Sequence, residues 1–139
     1  MKVTIKIYLV FAFFMCFSCE DRGLFVKCPD CTTDEPKDTS LKIKLDGVDS
    51  GLTTQINVYE GNAEDSVLYD SFKTFSSEAS VLVTLNKKYT VTATYFLHDK
   101  YYVAFDSATP RVRYDKKLCD NPCYFVYDRD IDLRLKYTK

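Results

Sequence analysis

The chain has no tryptophan, one histidine, four glycines and no excess of positive charge. Each scarcity removes a class of function. His98 is the only candidate for the base of a Ser–His–Asp arrangement; Asp99 adjoins it, but adjacent residues on a tight turn point apart, and no G-x-S-x-G elbow is present to present a serine. So few glycines leave no phosphate-cradling loop. With 19 basic residues against 20 acidic ones there is no basic patch to neutralise phosphates, which argues against nucleic acid as a partner. No stretch carries a helical period, and no long apolar run follows residue 18.

What is present begins with the first 21 residues. Lys2 and Lys6 form a positive start, Ile7 to Phe17 is an unbroken apolar run, and Ser18, Cys19, Glu20 and Asp21 follow. The run has the length of a signal-peptide apolar region and is too short to cross a bilayer core of about 30 Å as a helix. The stretch resembles a bacterial lipoprotein signal, in which a small residue precedes the cysteine that is cut and lipidated. Cys16 stands where that family usually carries leucine. It is the rival acceptor, but bulky Met15 before it suits cleavage poorly. An uncleaved anchor helix and ordinary secretion are the alternatives.

The resemblance implies a covalent lipid on Cys19 as the only attached group and no other cofactor. It also implies attachment through three acyl chains, where one alone holds a protein only marginally. The acidic pair Glu20–Asp21 resembles the export tag of Bacteroidetes lipoproteins that reach the cell surface. The expected address is therefore the outer membrane, with surface exposure as its extension.

Removal of residues 1–18 leaves 121 of the 139, enough for one domain. The 17 basic and 20 acidic residues that remain give a net charge of −3. Residues 19–40 show no period; Pro29, Pro36 and a polar cluster from Thr32 to Thr39 predict a tether. Residues 41–139 are the domain.

Alternation dominates from Leu41 onward. Leu41, Ile43 and Leu45 oppose Lys42, Lys44 and Asp46, the period-two mark of a half-buried strand. Ile56 and Val58 mark a second strand, Ser66 to Phe72 a third, and Val81, Val83 and Leu85 a fourth. Tyr89 to Leu97 is the clearest, and His98–Asp99–Lys100 turns it into Tyr101 to Asp106 as a hairpin. Pro110 precedes an edge-like strand, Arg111 to Tyr114. Tyr124 to Tyr127 follows, and Ile131, Leu133, Leu135 and Tyr137 close the domain. Eleven tyrosines and ten phenylalanines suit pleated, half-buried surfaces. Seven to nine short strands in about 100 residues predict an all-β fold, a single antiparallel two-sheet sandwich.

Within it, LVTLNKKYTVTATY (Leu82 to Tyr95) resembles the strand–turn–strand of transthyretin-like and carboxypeptidase-regulatory-like domains, in which a leucine, a turn and a tyrosine recur as Leu85 and Tyr89 do here. Lysines replace the usual turn glycine. The whole layout resembles small cell-envelope lipoproteins of Bacteroidales, a likeness that implies compartment and fold but no activity.

Cys28, Cys31, Cys119 and Cys123 are an even set in an expectedly exported chain, so disulfides are the first expectation. Four cysteines allow three connectivities. Two local rings, 28–31 and 119–123, compete with pairings that staple the tether to the loop before the last strands. A staple closing a loop near 90 residues would be worth about 4 kcal/mol by chain entropy. If the first and last strands run side by side in parallel, both cysteine pairs sit at one end. A four-thiolate zinc site and a redox C-x-x-C are the alternatives, although 87 residues separate the pairs and no βαβ context supports the second.

The remaining leads are few. Asp128, Asp130 and Asp132 imitate the opening of a calcium loop without its glycine and glutamate, and period two explains them as the wet face of the last strand. Glu60, Glu64 and Asp65 form an acidic loop of equally low value. Tyr101, Tyr102, Tyr114, Tyr124 and Tyr127 cluster in the second half and offer a surface for a glycan or a protein. The expectation is a membrane-attached, non-catalytic binding or accessory module with no metal. A periplasmic metal or thiol-redox protein, and a sugar-binding component of a surface uptake system, are the rival classes.

Overall fold

A computed structural model describes residues 28–46, 53–65, 67–117 and 119–135. The signal at 1–18, Cys19 and Tyr137 lie outside the described residues. The fold is all-β, with nine strands among the described residues: β1 (Asp38–Lys44), β2 (Thr54–Glu60), β3 (Leu68–Thr74), β4 (Glu78–Thr84), β5 (Tyr89–Leu97), β6 (Lys100–Ala108), β7 (Arg111–Asp115), β8 (Cys123–Tyr127) and β9 (Asp130–Asp132). Single 3-10 turns occupy Cys28–Asp30 and Ala63–Asp65.

Two sheets face each other, one of order β4-β1-β9 and one of order β3-β2-β5-β6, while β7 and β8 pair as a separate ribbon. The alternating residues supply the core from both sides. Leu41, Ile43, Val81, Val83 and Ile131 come from the smaller sheet, and Ile56, Val58, Tyr89, Val91 and Ala93 from the larger. Each buried aliphatic of this size contributes about 1.5–3 kcal/mol of transfer free energy.

The seams between the sheets are laced by side chains. Along one, the Tyr69 hydroxyl of β3 donates to the Leu82 carbonyl oxygen of β4 at 2.9 Å. Along the other, the Asp132 N–H donates to the Asp106 carboxylate at 3.0 Å.

Local chemistry explains the turns. His98 and Asp99 have φ of 49° and 59°, and Leu97 pairs with Lys100, so this is a two-residue hairpin loop with both central residues left-handed. That geometry matches the right-handed twist of the flanking strands. Gly61, at φ 86°, ends β2 where other residues would be strained.

Several expectations shift. The sandwich is antiparallel except for one pair, because β9 runs parallel to β1 with Ile43 opposite Ile131. The third strand opens at Leu68, and Ser66, where the alternation put its start, lies outside the described residues. The last strand spans three residues, although the Leu133 N–H still donates to the Lys44 carbonyl oxygen at 2.9 Å. Asp128 is not on that strand. It sits in the preceding turn at φ 56°, where its carboxylate accepts the Thr109 N–H at 3.0 Å. Asp130 and Asp132 do lie on β9, exposed and half-buried.

Candidate functional site

The four cysteines converge. Disulfides join Cys28 to Cys119 and Cys31 to Cys123, with Cα–Cα separations of 5.7 and 5.6 Å, inside the usual range. Of the connectivities left open by the sequence, this is one that staples the two ends of the domain together. The sulfurs of Cys31, Cys119 and Cys123 lie within 4.8 Å of one another, and that of Cys28 is bonded to Cys119, so all four form one cluster.

Backbone contacts hold the cluster independently of sulfur. The Thr32 N–H donates to the Tyr124 carbonyl oxygen at 2.9 Å, and the Tyr124 N–H donates back to Thr32 at 2.8 Å. Thr32 follows Cys31 and Tyr124 follows Cys123, so this bridge sits directly beside one disulfide. The Cys31 N–H closes the 3-10 turn onto the Cys28 carbonyl oxygen at 3.3 Å, and Arg129 approaches Asp30 at 3.9 Å. Residues 28–37, read as tether, are thus stitched to the domain from Cys28 onward, and β1 opens at Asp38.

The expected tyrosine surface divides into separate places. Tyr101 lies on the outer face of β6, while Tyr102, paired with Tyr95, faces the opposite way. Tyr114 and Tyr124 are a cross-strand pair on the β7–β8 ribbon, with ring centroids 4.8 Å apart. Tyr127 is half-buried on the same ribbon, 6.4 Å from the Phe125 ring.

Phe96, Val103 and Phe105, which the sequence reading passed over, join Tyr101. Directly opposite residues of paired strands share a face. Phe96 opposes Tyr101, Thr94 opposes Val103, and Thr92 opposes Phe105. The signal was available as period two across Tyr101, Val103 and Phe105, but it disappears when tyrosines alone are counted. Tyr101, Val103 and Phe105 are 75, 61 and 76% exposed, and the Phe96 ring lies 4.8 Å from that of Tyr101.

The same rows continue into polar groups. Gln55 pairs with Thr94 and Asn57 with Thr92, and Ser71 pairs with Asn57. The Gln55 amide donates to the Ser71 hydroxyl at 2.9 Å, which donates to the Asn57 side-chain oxygen at 2.7 Å. The outer face of the larger sheet therefore has an apolar row on β6, joined by Phe96 at the end of β5, beside a hydrogen-bonding region made by Thr92 and Thr94 of β5 and by β2 and β3.

Displaced pKa values lie away from this face. Burial pushes the Tyr89 and Tyr95 phenols up. The Lys87 ammonium is raised by its hydrogen bond to Glu60, and the Arg134 guanidinium by its hydrogen bond to Asp132. All four belong to core packing or surface ion pairing. Comparisons with protein-family models, with curated proteins and with solved structures each returned no match to the chain.

Proposed function

We propose that the chain is a lipid-anchored protein of a bacterial outer membrane, held through Cys19, whose sandwich binds a ligand rather than transforming one. The anchor rests on the sequence around Cys19, and the observation that supports a binding face is the exposed row of Tyr101, Val103 and Phe105 beside Phe96. Monomeric soluble proteins rarely leave large contiguous apolar patches open without a use.

A glycan suits this face better than an apolar peptide does. Sugar rings carry apolar C–H faces that rest on aromatic rings, and their hydroxyls need partners of the kind that Gln55, Asn57 and the threonine row supply. A membrane-held sugar-binding accessory is the form this reading takes.

Two measurements test it. Labelling with a clickable fatty acid is expected in the wild type and absent in Cys19→Ala; equal labelling of both would remove the anchor. Titration with a panel of soluble oligosaccharides is expected to show binding that Tyr101→Ala/Phe105→Ala weakens at least tenfold with the thermal midpoint unchanged. Equal binding by that variant would remove the face.

A further inference from the structure

We propose that the four cysteines are also a redox-gated metal site, closed as two disulfides in the oxidised chain and able to hold one zinc ion as four thiolates in the reduced chain. The proposal stands on the sulfur cluster and the backbone bridge, and it does not depend on the sheet face or on the anchor.

Tetrahedral zinc takes Zn–S bonds of about 2.3 Å, which sets sulfur–sulfur separations of about 3.8 Å. Cys31, Cys119 and Cys123 already have sulfurs within 4.8 Å of one another, and Cys28 approaches from its bond to Cys119. Three thiolates are thus already gathered, and the fourth, Cys28, joins them by side-chain rotation once its bond to Cys119 is gone. Two separate disulfides at opposite ends of a domain would carry no such implication. Here the Cys28–Cys31 turn lies against Cys119 and against Cys123 at the start of β8.

Reduction does not release the two segments from each other. The paired hydrogen bonds between Thr32 and Tyr124 lie one residue beyond Cys31 and Cys123, and β8 is held by five cross-strand pairs to β7. The Cys31 N–H bonded to Cys28 keeps the first C-x-x-C closed as a turn. Ligands presented by such pre-set turns lose little freedom on metal binding.

The chemistry balances with a dithiol as reductant. Each disulfide accepts two electrons and two protons from one dithiol, which departs as its own disulfide. The four protein thiols then give up as many as four protons when zinc binds, leaving a tetrathiolate of net charge −2. Oxidation by a small-molecule disulfide reverses the sequence: each protein S–S bond forms as one small disulfide takes two electrons and two protons and departs as two thiols, and the metal is expelled because disulfide sulfur is not a thiolate ligand.

The test uses the purified full chain in detergent, with cobalt(II) as the probe and a phosphine as a non-chelating reductant. The oxidised chain is expected to give no thiolate–cobalt absorption. The reduced chain is expected to bind one cobalt per chain with a tetrahedral four-thiolate spectrum, and one equivalent of zinc should displace it. Serine at any one of the four positions should weaken binding at least tenfold.

Circular dichroism on the same samples keeps the outcomes decisive. If the reduced sheets persist and no cobalt spectrum appears, the proposal fails. It also fails if reduction melts the sheets and metal does not restore them, if two ions bind per chain, or if a single serine variant binds as tightly as the parent. Recovery of melted sheets on adding one zinc equivalent would support it.

Discussion

The Tyr95 hydroxyl donates to the Leu133 carbonyl oxygen at 2.9 Å and accepts the Asp46 N–H at 3.3 Å. One phenol on β5 thereby ties the larger sheet to the chain just past the C-terminal ends of both β1 and β9, which lie side by side because the two strands are parallel. Tyr95→Phe keeps the ring and strands two backbone groups, so a loss of about 1–3 kcal/mol is expected. Urea unfolding measures it, and an unchanged midpoint would show that water replaces the hydroxyl.

The same group sets an alkaline limit. Burial raises the Tyr95 and Tyr89 phenols above their unfolded value of about 10. The neutral forms belong to the folded chain, so their contribution is complete below that pH and is lost as pH rises through the raised folded values. Stability should therefore fall above pH of about 10, and Tyr89→Phe/Tyr95→Phe should flatten that decline while lowering stability at neutral pH. Thermal unfolding across the range measures both effects; an equal slope in the variant would assign the decline elsewhere.

The two disulfides act as parallel staples and should not contribute equally in sequence. Each alone closes a loop of 91 or 92 residues, worth about 4–5 kcal/mol by chain entropy. With one in place, the other closes only a ring of under ten residues, worth roughly 2–3 kcal/mol. Cys31→Ser/Cys123→Ser is expected to lose about 2–3 kcal/mol, and replacement of all four about 7 kcal/mol. Denaturant melts of the oxidised proteins decide it. Equal steps for the first and second bond would contradict the parallel arrangement.

The β5–β6 turn leaves room for improvement. His98 and Asp99 both hold positive φ, where glycine and asparagine are at ease. His98→Asn/Asp99→Gly should raise stability by about 1 kcal/mol. A thermal midpoint that falls instead would show that either side chain makes a favourable contact at the tip.

The face of β6 should be separable from the fold. Tyr101 and Phe105 point away from the core, so serine at both positions is expected to change stability by under about 0.5 kcal/mol. Reduced binding of a hydrophobic dye by the variant would show the face to be the chain's principal apolar surface, whereas unchanged dye binding would place that surface elsewhere.

Legibility of the sequence followed burial. The strand from Tyr89 to Leu97 has the bounds its alternation implies because its inner face is almost wholly enclosed. β3, an edge strand with most residues exposed, carries a weak pattern that marks its presence better than its bounds. The parallel β1–β9 pair, the detachment of β7 and β8 as a ribbon, and the choice among cysteine pairings depend on contacts far apart in the chain. Period and spacing hold no information about them. At the sheet face, counting residue types separated Tyr101 from Phe105, although cross-strand register makes them neighbours of one row. The positive φ of Asp128 was equally hidden, because a local turn and a strand end share the same alternating aspartates.

The Cys28–Cys119 bond has a mechanical corollary. Tension arriving along the polypeptide ahead of Cys28 divides there, through sulfur to Cys119 ahead of β8 and along the main chain to Cys31, whose own disulfide leads to Cys123 on β8. With both bonds reduced, the paired hydrogen bonds between Thr32 and Tyr124 still stand between that pull and β1, which is itself flanked by β4 and β9, so sulfur and backbone guard the entrance to the sheet in series.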